Sequence, residues 1–242
     1  MAVGHRKNLM TNIAQHKPKN TRSKEDDKQI YSAMLQVSEY IKNRFDFEKS
    51  FPSYDIVFEK EISVQYIIDF IRSHRVRTEF DLNYVDRKII PDGGILFLVK
   101  TEDGEETQRK PILISEIKRQ GTNDERLKSG KSKQAVGNAI ERLGKNLMGV
   151  KSLMMYEGIT PFVCFGWGCD FAEDSKTVLS KVSMLNEFYP LNKIYVHKRD
   201  GSADYNKFSP VSMFFREEEW TIKEMFEIMK EIAETSIRYY LY

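Results

Sequence analysis

The sequence predicts an α/β fold in which a mixed central β-sheet is flanked by helices. Amphipathic segments with helical spacing alternate with short apolar runs bounded by turn residues, an alternation typical of this class. We identify no internal repeat and no linker between separate cores. Hydrophobic residues make up 40% and charged residues 31%, which is near the globular average. We therefore expect a basic, flexible N-terminal arm over residues 1–27 and a single folded domain over residues 28–242.

Several protein classes are excluded by the same sequence. No apolar stretch is long enough to span a membrane, so no membrane partner is expected, and the first twenty residues lack the apolar region of a secretory signal. Two cysteines, Cys164 and Cys169, cannot build a disulfide framework and suit the reducing cytoplasm. The four histidines lie too far apart for a zinc cluster.

Two helices are predicted in the N-terminal part. Apolar side chains recur with helical spacing over about residues 28–44. These apolar positions are Ile30, Met34, Val37 and Ile41. A second helix is predicted from Val64 to His74. Its buried face would consist of Tyr66, Ile67, Phe70 and Ile71.

Two apolar runs on either side of a polar turn predict an antiparallel hairpin over residues 95–118. The first run, Ile95 to Val99, follows the turn sequence Pro91-Asp92-Gly93-Gly94. The second run is Pro111 to Ser115, and the polar turn between the two runs extends from Thr101 to Glu106.

Helices and strands also alternate in the C-terminal half. A helix is predicted from Gln134 to Leu147, after a loop rich in glycine, serine and lysine. Short strands are predicted at Pro161–Phe165 and Lys193–Val196, with a helix around residues 175–187 between them. A last helix opens at Thr221. Its apolar face consists of Ile222, Met225, Phe226, Met229 and Ile232.

Positive charge is concentrated in the middle of the chain, although the formal net charge is only +2. Residues 109–151 contain eleven basic and four acidic side chains, whereas residues 216–242 contain four basic and seven acidic ones. A localised basic segment suits a polyanion such as nucleic acid. A solvated charged surface is the alternative, and charge alone does not decide between the two.

Asp92 and the sequence Glu116-Ile117-Lys118 suggest phosphodiester chemistry. Side chains two residues apart on a strand share a face, so Glu116 and Lys118 point the same way. If the hairpin brings Asp92 alongside, two carboxylates and one ammonium converge. Carboxylate oxygens can hold Mg²⁺, which polarises a scissile phosphate, while the lysine orients or deprotonates the attacking water. Taken singly, Pro-Asp-Gly-Gly is also an ordinary turn, and Glu116 with Lys118 can be a surface ion pair.

The predicted helix that follows carries side chains suited to reading bases. Asn138, Glu141 and Arg142 are related as i, i+3 and i+4, so they project from one helix face. Asparagine can bond adenine N6 and N7, and arginine can donate to guanine O6 or to a purine N7. Glutamate can accept from an amino group or hold the arginine fork. The alternative is a solvent-facing helix with a local Glu–Arg pair.

Taken together and in order, these blocks resemble the EcoRI family of type II restriction endonucleases. The resemblance extends over roughly residues 85–242 and implies a restriction-endonuclease-like PD-(D/E)xK core, with catalysis and DNA recognition in one domain. The matching blocks are Ile-Pro-Asp-Gly-Gly-Ile (90–95), Leu-Ile-Ser-Glu-Ile-Lys-Arg-Gln-Gly (113–121), Gly-Asn-Ala-Ile-Glu-Arg (137–142), Met225–Met229 and Thr235–Arg238.

The resemblance implies a role for each matched residue. The catalytic residues would be Asp92, Glu116 and Lys118, and Mg²⁺ would be held by Asp92, Glu116 and the main-chain carbonyl of Ile117. Base recognition would fall to Ala135, Gly137, Asn138, Ala139, Glu141 and Arg142. Contacts with backbone phosphates would be made by Arg119, Gln120, Lys145 and Asn146.

The resemblance further implies a homodimer on palindromic double-stranded DNA, in which each subunit cuts one strand and leaves a 5′ overhang. The Gly-Asn-Ala-x-Glu-Arg element goes with an AATT centre, and a cognate DNA methyltransferase would act on the same site in a bacterial or archaeal cytoplasm. The sequence departs from the family at Gln134, Val136 and Trp167, the last standing where relatives carry an acidic residue. The flanking bases therefore stay open among GAATTC, an RAATTY-like site and another flank.

Other functions compete with this interpretation. A repair or junction nuclease of the same fold would share the active site but would not need the face formed by Asn138, Glu141 and Arg142. A DNA-binding protein without catalysis would not need Asp92 and Lys118. No glycine-rich loop of a methyl-donor site follows a strand, which argues against a methyltransferase.

Overall fold

The computed structural model describes residues 21–73, 87–119, 126–132, 138–168, 194–198 and 211–242. Within these ranges the helices are α1 (Thr21–Phe45), α2 (Phe47–Ser50), α3 (Val64–Ser73), α4 (Asn138–Lys151) and α5 (Ile222–Leu241), and a 3₁₀ turn, Ser152–Met154, follows α4. The strands are β1 (Tyr54–Glu59), β2 (Ile62–Ser63), β3 (Lys88–Ile89), β4 (Gly94–Glu102), β5 (Glu105–Arg119), β6 (Phe162–Trp167), β7 (Ile194–Lys198) and β8 (Val211–Arg216).

Among the described residues, the central sheet has six strands in the order β1-β4-β5-β6-β8-β7. The pairs β1–β4 and β4–β5 are antiparallel, whereas β5–β6, β6–β8 and β8–β7 are parallel. Strand β5 therefore stands where the antiparallel part of the sheet meets the parallel part. The mixed α/β architecture predicted from the sequence is confirmed.

Apolar side chains fill a core on each face of this sheet. On one face α1 and α5 pack on the strands, with Trp220 completely buried among Phe165 and Phe214. On the other face α4 packs through Leu143, Leu147 and Val150, together with residues of α3. The sheet is thus covered on both sides, as its short apolar strands require.

Helix α1 forms because its apolar side chains recur with helical spacing and all face the sheet. The four positions predicted as its apolar face, Ile30, Met34, Val37 and Ile41, are completely buried. The helix begins at Thr21 and not at residue 28, so the predicted arm over residues 1–27 overlaps it from Thr21 onward. The sequence before Ile30 is polar, and apolar periodicity therefore does not reveal this first part of the helix. Residues 1–20 lie outside the described residues.

The predicted hairpin is confirmed, and both of its strands are longer than their apolar runs. Strand β4 pairs with β5 from Gly94 opposite Ser115 to Glu102 opposite Glu105. The polar parts of the two strands continue the pairing beyond the core, where they face solvent. At the turn between them Asp103 and Gly104 have positive φ angles of 53° and 84°.

Three further predictions differ from the structure in their bounds or lie outside it. Helix α4 begins at Asn138 among the described residues and ends at Lys151, four positions after the predicted Leu147. Helix α3 ends at Ser73, and the predicted last residue, His74, lies outside the described residues. The helix predicted around residues 175–187 also lies outside them.

The last helix begins where the sequence predicts. The side chain of Thr221 accepts a hydrogen bond from the main-chain N–H of Glu224, and the Glu224 side chain accepts one from the Thr221 main chain, which forms a capping box. Met225, Met229 and Ile232 are completely buried, whereas Phe226 is only partly buried. Among the described residues, no helix combines the length and apolar character that a membrane span requires.

Candidate active site

A tight turn before β4 places Asp92 beside β5. The Gly94 N–H donates to the Pro91 carbonyl at 3.0 Å, and the Gly93 N–H donates across to the Ser115 carbonyl at 3.0 Å. A Cβ on Gly93 would come within 2.0 Å of Ser115 Oγ. Gly94 has a φ of +82°, and a Cβ there would come within 2.6 Å of the Phe58 ring. The glycine at position 93 therefore lets the turn lie this close to β5, and the glycine at position 94 permits the positive φ and the close approach of β1.

The Asp92 carboxylate continues the hydrogen bonding of the sheet edge. Strand β4 starts at Gly94 opposite Ser115, so β5 runs on past the start of its neighbour. There the N–H of Ile117 donates to Oδ2 of Asp92 at 3.2 Å. A side-chain oxygen thus takes the position of a strand carbonyl, which fixes Asp92 next to Glu116 and Lys118.

Glu116 is buried in the centre of the sheet, with its side chain completely shielded from solvent. It lies opposite Cys164 in the parallel pairing with β6. Its Oε2 accepts from Lys118 Nζ at 2.6 Å, and its Oε1 accepts from Asn146 Nδ2 at 2.7 Å. Both carboxylate oxygens therefore have donors, as a buried carboxylate requires.

The Lys118 ammonium lies between the two carboxylates. Its Nζ donates to Oδ2 of Asp92 as well as to Glu116, and its side chain is only 14% exposed. The structure thus brings together Asp92, Glu116 and Lys118, the three residues that the sequence predicts to be catalytic. Glu116 and Lys118 face the same side of β5, as their spacing requires.

The charges of this group shift its protonation equilibria. Burial lowers the pKa of Lys118, but the charges of Glu116 and Asp92 outweigh burial and raise this pKa above its ordinary value. Burial raises the pKa of Glu116, the Lys118 charge opposes that rise, and the Asp92 charge adds to it. Burial also raises the pKa of the Cys164 thiol, so this cysteine is a protonated, buried small side chain. Cys169 lies outside the described residues.

The donor set at this site fits a hard divalent cation. Asp92 and Glu116 each place a carboxylate oxygen in contact with the Nζ of Lys118. The main-chain carbonyl of Ile117 belongs to the residue between Glu116 and Lys118 in the sequence. No group of three or more histidine, cysteine, aspartate or glutamate side chains with metal-binding geometry occurs among the described residues. Mg²⁺ at phosphate groups is usually held by one or two carboxylates, together with water and substrate oxygens.

Asp27 is an additional acidic residue at this site, and sequence reasoning placed it in the arm. It is half-buried on α1 and borders a cavity of about 310 Å³ that is also lined by Lys60 and Asp92. Burial raises the pKa of Asp27, the Asp92 charge adds to the rise, and the Lys118 charge opposes it. Asp27 precedes Ile30 and Met34 by three and seven positions, so a helix extended towards the N-terminus would have predicted its inward orientation.

The residues predicted to read bases lie at the beginning of α4 or before it. Asn138, Ala139, Glu141 and Arg142 belong to the helix backbone, but their side chains lie outside the described residues. Ala135 and Gly137 also lie outside the described residues. The roles of all six in base recognition stay predictions.

The residues predicted to contact phosphates are placed differently from one another. Arg119 lies with its guanidinium carbon 4.8 Å from the centre of the Trp167 ring, on the face of β5 opposite Lys118. Asn146 donates to Glu116, a contact that the sequence does not predict because it joins two separate elements. Gln120 and the Lys145 side chain lie outside the described residues. Phosphate binding by these four residues stays a prediction.

Comparison with known proteins gives three matches. The family model described as Restriction endonuclease EcoRI matches residues 17–241. The type II restriction enzyme RsrI of Cereibacter sphaeroides is 29% identical over 220 residues, which cover 78% of this chain and 78% of that protein. The type II restriction enzyme EcoRI of Escherichia coli is 28% identical over 181 residues, which cover 62% of this chain and 64% of that protein.

The family match extends over both cores of the fold, the Asp92 turn, all of β5 and all of α4. The chain therefore belongs to the EcoRI family of type II restriction endonucleases, which are site-specific deoxyribonucleases.

Proposed function

We propose that this protein is a Mg²⁺-dependent endonuclease that cuts both strands of palindromic duplex DNA with an AATT centre and leaves 5′ overhangs. The observation that carries the proposal is the convergence of Asp92 and Glu116 on the ammonium of Lys118. Two carboxylates beside one fixed positive charge supply hard oxygen ligands and compensate for charge on a phosphate, which is what phosphodiester hydrolysis needs.

In this proposal Asp92, Glu116 and the main-chain carbonyl of Ile117 hold Mg²⁺. The bound cation supplies Lewis acidity towards the scissile phosphate and lowers the pKa of a bound water. Lys118 donates from a nearly buried position, so its ammonium orients the attacking water and offsets the negative charge that develops on the phosphate. The N–H of Ile117 holds the Asp92 carboxylate in place throughout.

Base reading in this proposal belongs to the N-terminal part of α4. Asn138 offers one donor to adenine N7 and one acceptor to adenine N6, and Arg142 offers paired donors to a guanine. Glu141 accepts from an amino group or holds the arginine fork. Ala135, Gly137 and Ala139 have no long side chains, so the chain can approach the base edges closely. The positive end of the helix dipole also favours nearby phosphates. The bond from Asn146 to Glu116 supports the proposal, because it places this helix directly beside the catalytic carboxylates.

The remaining contacts follow from the charge of the central segment. Arg119, Gln120 and Lys145 would bind backbone phosphates within the basic residues 109–151. Asn146 donates one amide hydrogen to Glu116 and would add a single, weaker phosphate contact through its other amide hydrogen. A homodimer whose two-fold axis matches that of the palindrome would place one active site on each strand. A cognate DNA methyltransferase would protect the same sequence in the host cell.

Digestion of a fully sequenced phage DNA with Mg²⁺, followed by sequencing of the fragment ends, tests this function. We expect a discrete set of ends that share one palindrome with an AATT centre and carry 5′ overhangs. Asp92→Asn should abolish cleavage, because an amide is a poor ligand for Mg²⁺ in place of a carboxylate. Asp55→Asn is the matched control, since Asp55 lies on β1 with a side chain that is 64% exposed.

Two outcomes would contradict the proposal. Ends without any consensus would leave a nuclease but remove site recognition by α4. Specific binding without cleavage would place the protein among DNA-binding proteins that lack catalysis.

A further inference from the structure

Helix α4 contacts Glu116 directly and also packs against the strand that precedes Asp92. Asn146 Nδ2 donates to Oε1 of Glu116 at 2.7 Å, which links the helix to β5. One turn later Gly149 lies so close to β3 that a Cβ on it would come within 2.1 Å of Ile89 Cδ1. Ile89 is the last residue of β3 and lies just before the turn that carries Asp92. The same helix therefore contacts Glu116 and packs against the residue of β3 that leads into the Asp92 turn.

The hydrogen bond from Asn146 restricts the rotation of the Glu116 carboxylate about its terminal torsion. The terminal torsion of a glutamate is broad, so burial alone does not set the direction of its two oxygens. Lys118 contacts Oε2, and the Asp92 N–H approaches the same oxygen at 3.4 Å. Among the described residues, Asn146 is the donor to Oε1. With a donor on each oxygen, the carboxylate can adopt only a narrow range of orientations.

We propose that Asn146 is a positioning residue that couples helix α4 to Glu116, so that seating the helix on its specific DNA sets the orientation of the metal-binding carboxylate. The coupling rests on the proposed function, because it assumes that the beginning of α4 reads bases. The positioning rests only on the hydrogen bond and on the burial of Glu116. Groups that orient a metal ligand in this way commonly change metal affinity or activity by about 10- to 100-fold when they are replaced.

The positioning role predicts a defined pattern in Asn146→Ala. Mn²⁺ affinity of the DNA-free protein, measured by electron paramagnetic resonance titration, should fall by about 10-fold or more. The single-turnover cleavage rate of bound DNA should fall by a similar factor. Affinity for specific DNA in Ca²⁺, in which cleavage is arrested, should change much less. Asn146→Asp should lower Mn²⁺ affinity less but still slow cleavage, because its carboxylate adds a metal ligand while it repels Glu116.

Two further variants serve as controls for the measurements on Asn146→Ala. Ser152→Ala is the matched control, since Ser152 donates a local hydrogen bond to the Met148 carbonyl at the end of the same helix and does not contact the carboxylates. Its Mn²⁺ affinity and cleavage rate should equal those of the wild type. Asn146→Ser keeps a donor of smaller reach, and if Asn146→Ala does not fold, this variant carries the same test. Thermal unfolding verifies that each protein is folded.

The coupling is tested by discrimination in the cleavage step. The wild type should cleave bound cognate DNA much faster than bound DNA with one altered base pair, and in Asn146→Ala this rate ratio should shrink while the ratio of binding affinities stays. An unchanged Mn²⁺ affinity, an unchanged rate ratio, or a loss of DNA affinity equal to the loss of cleavage would overturn the proposal. If the wild type cleaves no DNA, the proposed function fails, whereas the Mn²⁺ titration still tests the positioning.

Discussion

At the level of the single residue, Lys118 combines a proposed role in catalysis with a role in compensating the charges of two carboxylates. Its ammonium contacts Asp92 and Glu116 in a place where its own side chain is 14% exposed. Without that charge two carboxylates would face each other in a region of low dielectric constant, and their repulsion would oppose folding. The residue that is expected to act on the substrate therefore also makes the active site electrostatically possible.

Lys118→Ala should abolish cleavage and largely spare specific DNA binding. The substitution removes the proposed catalytic ammonium but no predicted base contact, so a loss of at least about 10²- to 10⁴-fold in single-turnover rate is expected. Stability should also fall, by about 3–5 kcal/mol in the free energy of unfolding, because a buried charge group loses one partner. Gel-shift affinity in Ca²⁺ and urea unfolding measure the two effects.

Lys100→Ala serves as the control for this experiment, because Lys100 pairs with Glu102 at the solvent-facing end of β4. It should cleave at the wild-type rate and unfold at nearly the wild-type urea concentration. Full activity of Lys118→Ala would remove the catalytic assignment of that residue.

For single residues of the site, some placements can be predicted from the sequence and others cannot. Glu116 and Lys118 could be placed on one face because strand geometry relates positions that are two apart. The contact of Asn146 with Glu116 and the approach of Asp27 to Asp92 could not be predicted, because each joins elements that only the assembled fold brings together. The side-chain chemistry of Asn146 suits a phosphate and a carboxylate equally well, and sequence alone offers no means of choosing.

Among the secondary-structure elements, the turn before β4 is the one whose shape the site depends on. Gly94 and Gly104 both have φ angles above +80°, so an alanine at either position would have a similar backbone strain. Their surroundings differ. A Cβ on Gly94 would meet the Phe58 ring and the Glu59 carbonyl, whereas a Cβ on Gly104 would have no atom within 4 Å.

Gly94→Ala should therefore cost more stability than Gly104→Ala and should also impair catalysis. The Gly104 substitution should lower the free energy of unfolding by about 1–2 kcal/mol through strain alone and leave cleavage unchanged. The Gly94 substitution should exceed this loss, and it should slow cleavage because the clash displaces Asp92. Urea unfolding and single-turnover cleavage of the two variants provide the comparison. Equal losses of stability, with equal activity, would show that the packing around Gly94 adapts without moving the site.

Secondary structure was predictable where one element buries a whole face. The four apolar positions of α1 and the capping box of α5 identify their helices from local sequence. Strand β1 was missed because its apolar run, Ile56 to Phe58, is only three residues long. The strand lies at the edge of the sheet, and only Ile56 among its residues is buried. The start of α1 was missed for a related reason, since its first turns are polar while Asp26 among them is nevertheless buried.

For the molecule as a whole, the distribution of charge matters more than its sum. A formal net charge of +2 suggests weak interaction with a polyanion, but residues 109–151 hold eleven basic side chains against four acidic ones. This segment includes the part of β5 that carries Glu116 and Lys118, and all of α4. Positive charge is thus concentrated around the two elements that the proposed function places on DNA.

Specific DNA affinity should accordingly fall steeply with salt. Neutralising several phosphates releases counterions, so a loss on the order of 10³-fold is expected between about 50 and 200 mM salt. Lys145→Ala should reduce the slope of log affinity against log salt by about one phosphate contact, roughly 0.9. Lys223→Ala, on α5 in the acidic C-terminal part, should leave the slope unchanged. A flat salt response of the wild type would show that the basic segment does not lie on DNA.

The position of β5 in the sheet has a consequence for how the enzyme loses its activity. The first residues of β5 lie in the solvent-facing hairpin, whereas the residues from Pro111 to Ile117 are buried between β4 and β6. Amide hydrogens near the hairpin should exchange rapidly with deuterium, and those around Glu116 should exchange only when the whole domain opens. Local opening of the sheet therefore affects the hairpin end of β5, which contains none of the proposed catalytic residues. Heat should inactivate this protein at the temperature where it unfolds and not earlier.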